Sequence, residues 1–142
     1  MLDIDINALE QAIAAAKAVL KDGLVASDIW DRESGLSLAG YNSRPEAVAL
    51  FNQLTYEISD TLSGSNFPAL NRYYLLDVDG DNTIVVQRHG EDLMSGMLLD
   101  ATRVNLGILV SVVMPRLTAA VAAAQHNDDQ IAELEELANA GR

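Results

Sequence analysis

Asp77, Asp79 and Asp81 stand at alternate positions in LLDVDGDNTIVV (75–86), the spacing of the first three ligands of an EF-hand calcium loop. Such a loop also needs Gly at its sixth position, for a sharp turn, and a bidentate Glu at its twelfth. Counted from Asp77, those positions hold Asn82 and Arg88, and Gly80 comes two places early. The flanks, NRYYLL and NTIVVQR, are rich in β-branched and aromatic residues, which favour strands over helices. A hairpin with DGDN at its tip is the simpler reading, because Asp and Asn tolerate turn conformations and Gly supplies positive φ. No metal is expected there.

The remaining reactive side chains form no stronger pattern. His89 and His126 are far apart and lack ligand spacing with carboxylates; His89, beside Gly90, is expected in a turn. SGSN (63–66) and MSGM (94–97) do not match the nucleophile elbow G-x-S-x-G, and no glycine-rich phosphate loop occurs. The pairs Asp28/Asp31 and Glu91/Asp92 would do acid–base chemistry only inside a cleft, and solvated strand ends or turns are expected instead. Arg44, Arg88, Arg103 and Arg116 are expected to be solvated rather than to supply a finger for a nucleotide phosphate. Trp30 is expected to pack, with contact to a protein partner as its functional alternative. The chain is therefore expected to be no enzyme and to carry no cofactor.

Composition narrows the partners. The net charge of −12, from 21 acidic and 9 basic residues, repels phosphate backbones and anionic lipid, so neither nucleic acid nor a membrane is expected. No cysteine is present, which removes disulfides and thiol chemistry and fits a reducing compartment. MLDIDINALE lacks the pattern of a signal peptide, and the apolar run LGILVSVVM falls short of the roughly 20 residues that span a bilayer. A cytoplasmic domain of 142 residues with one core is expected.

The elements follow from periodicity and punctuation. Ile6, Leu9, Ile13, Ala16 and Leu20 line one face of a helix over 6–22, with Asn7 and Glu10 as a capping box and Gly23 at its end. LVASDIWD and LSLAGYN, joined by RESG, make a first hairpin. Ser43, Pro45 and Glu46 then open a second helix, with Ala47, Leu50, Phe51, Leu54, Ile58 and Leu62 as its apolar stripe and Gly64 as its stop. A hairpin over 72–88 and a fifth strand, LMSGMLL, follow HGED. A third helix from Asn105 to Gln125 is apolar on nearly all sides, so burial on more than one face is expected, with a kink or break at Pro115. Asn127 and Gln130 open a short amphipathic helix, so residues 1–126 are expected to form the domain and 127–142 an extension.

The order α-β-β-α-β-β-β-α resembles the roadblock family, the dynein light chain roadblock type with its bacterial and archaeal relatives. The resemblance covers about 5–122 and rests on GLVASDIWDRESGLSLAG after the first helix, on YYLLDVDGDNTIVV, and on VNLGIL. Gly23 and Gly35 match the glycine-bounded first hairpin, and Asn105, Leu106 and Gly107 match an Asn-Leu-Gly helix start. Gly107 is expected to let the helix approach the sheet closely, and Gly35 to permit a turn. SDIW in the first strand, and the final helix, depart from the pattern. The resemblance implies an α+β, roadblock/profilin-like domain whose five-stranded antiparallel sheet has helices on both faces. It implies a non-enzymatic homodimeric scaffold or regulator that binds proteins, including Ras-like small GTPases and signalling or motility complexes. Bacterial relatives include GTPase-activating proteins of polarity switches, but no signature here carries that activity.

In the family arrangement the third strand lies at a sheet edge, where Tyr73, Tyr74, Leu75 and Leu76 offer neither charge nor proline to guard it. A twofold pairing through this strand is expected, with Val48, Phe51, Leu54 and Thr55 of the second helix beside the seam. The alternative function is a small-ligand sensor of profilin-like or PAS-like architecture, with Ser95 and Gly96 as the candidate polar lining.

Overall fold

The computed structural model describes residues 4–125 and 136–137; His126 and all but two residues of the expected C-terminal extension lie outside them. The described chain runs α1 (Ile6–Leu20), β1 (Leu24–Asp31), β2 (Ser37–Tyr41), α2 (Pro45–Ser63), β3 (Tyr73–Val78), β4 (Asn82–His89) and β5 (Leu93–Asp100). It ends with α3 (Leu106–Gln125). The five strands form one antiparallel sheet in the order β2-β1-β5-β4-β3. Helices cover both faces, so the α+β architecture is the one the element order implies.

Alternation along the strands divides the core in two. Ile29, Val85, Met97 and Leu99 point to the face covered by α1 and α3, where Leu9, Ile13, Leu109, Leu117 and Val121 meet them. Trp30, Val86 and Met94 point the other way and are covered by Val48 and Phe51 of α2. The second cluster is small, and α2 leaves most of its surface in solvent: Leu50, expected in the apolar stripe, is 51% exposed.

The helix starts differ from those expected. Asp5, not Asn7, caps α1, its carboxylate accepting from the Ala8 amide at 3.0 Å. Lys21 at φ 52°, not Gly23, takes the left-handed position after α1. Arg44, not Ser43, is the N-cap of α2 and makes no side-chain cap bond, since a guanidinium has no acceptor; the Ser43 hydroxyl donates to Asp28 instead. Asn105 caps α3 as expected, accepting from the Ile108 amide at 3.1 Å. Gly107, however, is exposed, and a Cβ there would meet only the Asn105 side chain, at 3.0 Å. It leaves room for the cap, not for the sheet.

Helix α3 carries a π turn over Leu109–Val113, in which the Met114 amide reaches back to the Leu109 carbonyl. Proline has no N–H to give and its ring crowds the carbonyl four residues back, so the wider turn just before Pro115 accommodates it. The expected break is this turn. Burial is one-sided, contrary to expectation: Leu109, Val113, Met114, Leu117, Val121 and Ala124 are buried, whereas Leu106, Ile108 and Val110 are 55%, 45% and 42% exposed. By length and composition α3 could cross a membrane, with a mean hydropathy of 1.9. Its inner stripe nevertheless completes the core.

Leu109 has no accessible surface and packs between α1 and the sheet. Leu109→Ala is expected to lower unfolding stability by about 2–5 kcal/mol, measured by urea denaturation.

Candidate functional site

The two sheet edges are treated differently. β2 is short, and Lys17 of α1 places its ammonium 4.6 Å from the Tyr41 ring centroid at that margin. β3 pairs with β4 on one side alone, and none of its residues is buried. Tyr73 is 41% exposed, while Tyr74, Leu75 and Leu76 are half-buried. A groove of about 400 Å³ runs beside this edge to α3, lined by Tyr73, Arg72, Arg88, Val110, Pro115 and Ala122.

The other expected contact residues lie deeper. Val48, Phe51 and Thr55 are buried against the sheet, and Leu54 is half-buried on the flank of α2. The Thr55 hydroxyl accompanies the Tyr74 phenol at 2.8 Å, so α2 and the edge strand are tied together. Burial pushes the Tyr74 phenol up, partly offset by Thr55. Trp30 is wholly buried; its indole N–H donates to Asn52 at 2.8 Å and its ring lies 6.1 Å from that of Phe51. The packing expectation describes this indole.

The acidic hairpin tip is a turn. Val78 pairs with Asn82, Gly80 and Asp81 take φ of 79° and 56°, and the Asn82 side-chain Nδ2 donates to the Asp79 carbonyl at 3.0 Å. Among the described residues no three His, Asp or Glu side chains come together as a metal site. Asp31 also serves a turn, accepting from the Ser34 amide at 3.1 Å and hydroxyl at 2.6 Å. Asp28 does not fit the solvated expectation. It is 4% exposed, accepting from the hydroxyls of Ser37, at 2.7 Å, and Ser43. Arg88, expected to be solvated, donates to the carbonyls of Leu70 and Asn71 at 3.1 and 3.3 Å.

His89 is the clearest departure. It closes β4 rather than entering the turn and is 5% exposed, with Nε2 2.8 Å from the Ser95 hydroxyl and Nδ1 without a partner. Gln87, on the same face, donates to the Met114 carbonyl at 3.2 Å and the Thr118 hydroxyl at 3.1 Å. Ser95 thus faces α3, whereas Gly96 faces α2, so the two expected lining residues do not share a pocket. A histidine and a serine in contact suggest a nucleophile, but Ser95 is 1% exposed and no carboxylate orients the ring among the described bonds. The pair is structural. Alternation places residues 87 and 95 on one face, but sequence spacing alone does not reveal which of them is sealed.

Burial lowers the His89 pKa to about 4 from 6.5. The unfolded chain binds this proton first as pH falls, so the stabilisation is whole above about pH 6.5 and is lost progressively down to about pH 4. The loss expected from this group is about 3 kcal/mol over that window. Urea midpoints measured between pH 7 and 4 are expected to fall more steeply for the wild type than for His89→Gln; parallel curves would remove the role of this ring.

No protein-family model and no curated protein matches the sequence. Solved structures do match the fold. MglB from Myxococcus xanthus superposes with a TM-score of 0.70 at 9% identity, over 86% of this chain and 90% of that one. A structure described as MglB with tetrameric arrangement gives 0.66 at 18% identity, over 89% and 96%. A roadblock-type domain from Streptomyces avermitilis gives 0.55 at 10%, over 80% and 92%. The fold is therefore that of roadblock domains, as the motif order in the sequence implies.

Proposed function

We propose that this roadblock-fold chain is a non-enzymatic, cytoplasmic homodimer that scaffolds or regulates other proteins, a Ras-like small GTPase foremost among them. Residues 1–126 form the binding domain and 127–142 an amphipathic extension. The observation that carries the reading is the open β3 edge, which among the described residues has no strand on the side away from β4 and whose side chains carry no charge from Tyr73 to Leu76. Two copies related by a twofold axis satisfy one another's N–H and C=O groups there. Tyr73, Tyr74, Leu75 and Leu76 form the seam. Val48, Phe51 and Thr55 hold α2 in place next to it, while Leu54 lies on the flank of the helix. Self-association has a parallel in the tetrameric MglB arrangement.

The partner reading rests on the fold resemblance and on apolar surface left exposed. Leu106, Ile108 and Val110 on α3, and Leu50 and Tyr56 on α2, offer the patches that protein contacts use. The acidic balance of the chain favours a partner with a basic surface.

Light scattering at tens of micromolar is expected to give a dimer, and Leu76→Lys, which sets like charges near the axis, a monomer. A monomeric wild type would defeat the seam; a dimer indifferent to the lysine would move it elsewhere. Calorimetric titration with a Ras-like GTPase from the same organism, loaded with GDP or a GTP analogue, is expected to give binding that depends on the nucleotide. Absence of binding in both states would remove the GTPase and leave the scaffold.

A further inference from the structure

Asp28 is a buried acid with half of its carboxylate unused. Both hydroxyls that reach it, from Ser37 and Ser43, converge on Oδ1. Among the described residues Oδ2 accepts no hydrogen bond, and no Lys, Arg or His comes within ion-pair distance of the group. Unlike Gln87 Oε1 and His89 Nδ1, Oδ2 is not sealed: solvent reaches it, so it is open to any donor that displaces water there.

The surroundings make a place for one. Asp28 is paired across the sheet with a glycine on each side, Gly40 of β2 and Gly96 of β5. A Cβ on Gly40 would stand 2.8 Å from the carboxylate, and one on Gly96 would stand 2.6 Å from the Phe51 ring. The missing side chains leave room for the acid, for the ring, and for a hollow of about 180 Å³ between α2 and the sheet. Asp28 lines this hollow with Ser27 beside it and with Ala26, Ala47, Phe51, Ile84 and Leu98, so the acid stands in mostly apolar surroundings. Arg44 stands at the rim, exposed and forming no ion pair with the acid.

We propose that this hollow is a binding site for a small apolar molecule bearing a primary ammonium group. The ammonium donates to Asp28 Oδ2, while Oδ1 is held still by the two serines, so the anion is oriented before the ligand arrives. The hydrocarbon part lies against Ala26, Ala47, Ile84 and Leu98. The volume suits a group about the size of benzene, which an apolar cavity of about 150 Å³ can hold. Selectivity comes from the charge: a neutral alcohol of the same shape fills the hollow and donates one O–H, but it brings no positive charge to the carboxylate, and charge-assisted hydrogen bonds are roughly twice as strong as neutral ones. The excess of acidic residues over the whole chain also concentrates cations near its surface. This site is independent of the β3 seam.

The test is a titration of isotope-labelled protein with benzylamine, followed by amide chemical shifts, beside benzyl alcohol as the neutral counterpart. Benzylamine is expected to give saturable shifts centred on residues 26–28, 47–51, 84 and 96–98, at least tenfold tighter than the alcohol. Asp28→Asn is expected to abolish that preference, and Ala47→Leu, which fills the hollow without touching the acid, to abolish binding by both ligands. Arg44→Gln is expected to leave amine binding unchanged or tighter. Equal binding of amine and alcohol, no saturable shifts, or amine shifts that persist in Ala47→Leu would each overturn the proposal. Should Asp28→Asn fail to fold, the comparison of the two ligands and the Ala47→Leu result decide alone.

Discussion

The pairing of β1 with β5 is the constraint on which the other placements depend. The two strands come from opposite ends of the sheet-forming sequence, yet they run side by side from Leu24↔Leu99 to Asp31↔Leu93. Closing that long loop costs entropy that local hairpins do not pay, so the central strands must recover it through burial. They do so with a nearly continuous run of buried residues from Leu93 to Met97, facing helices on both sides. Once these strands are joined, each hairpin has one place left: β2 goes outside β1, and β4 with β3 goes outside β5. Among the described residues no strand lies beyond β3 on that side. The open edge is thus a result of chain order before it is a property of the residues in β3.

The two faces of the sheet are supported unequally. Opposite it, α1 and α3 bring a broad aliphatic surface, whereas α2 rests on a few large residues, chiefly Val48 and Phe51 above Trp30 and Met94. Phe51 comes down onto Gly96, where a Cβ would stand 2.6 Å from the ring, so the contact is narrow and local. This uneven support accounts for a hollow beneath α2, whereas the open space toward α3 lies at the β3 margin. It also explains why polar groups occur on both faces in different states: His89 and Gln87 are sealed under α3, while Asp28 is held at the wall of an unfilled space.

The helices and hairpins were legible because their signals are local. Periodicity gave α1, and glycines at 35, 80 and 90, all at positive φ, punctuate the turns. Capping was less legible because a hydroxyl has several possible partners. Ser43 matches a capping pattern in sequence, but Asp28, distant in the chain, takes its hydroxyl. Burial of ionisable groups was missed for the same reason: alternation gives the face on which His89 and Asp28 lie, not what covers that face. The stripe assigned to α2 included Leu50, which the sheet leaves uncovered, and missed Val48 and Thr55. For α3, a sequence apolar all round does not say which side its own chain will occupy. The likeness to roadblock order, in contrast, lies in the succession of elements, which survives even where the solved structures of the same fold share few residues.

The widened turn before Pro115 has an effect beyond relieving the proline. A π turn spends one more residue per loop than an α turn, so it acts as a slipped tooth in the winding of the helix. Side chains before Leu109 are wound out of step with the stripe that follows Val113. The core meets the helix from Leu109 onward, while Leu106 and Ile108, on the turn ahead of the slip, stand in solvent. The helix thus has two surfaces of unlike fate, the later one turned to the sheet and the earlier one to water.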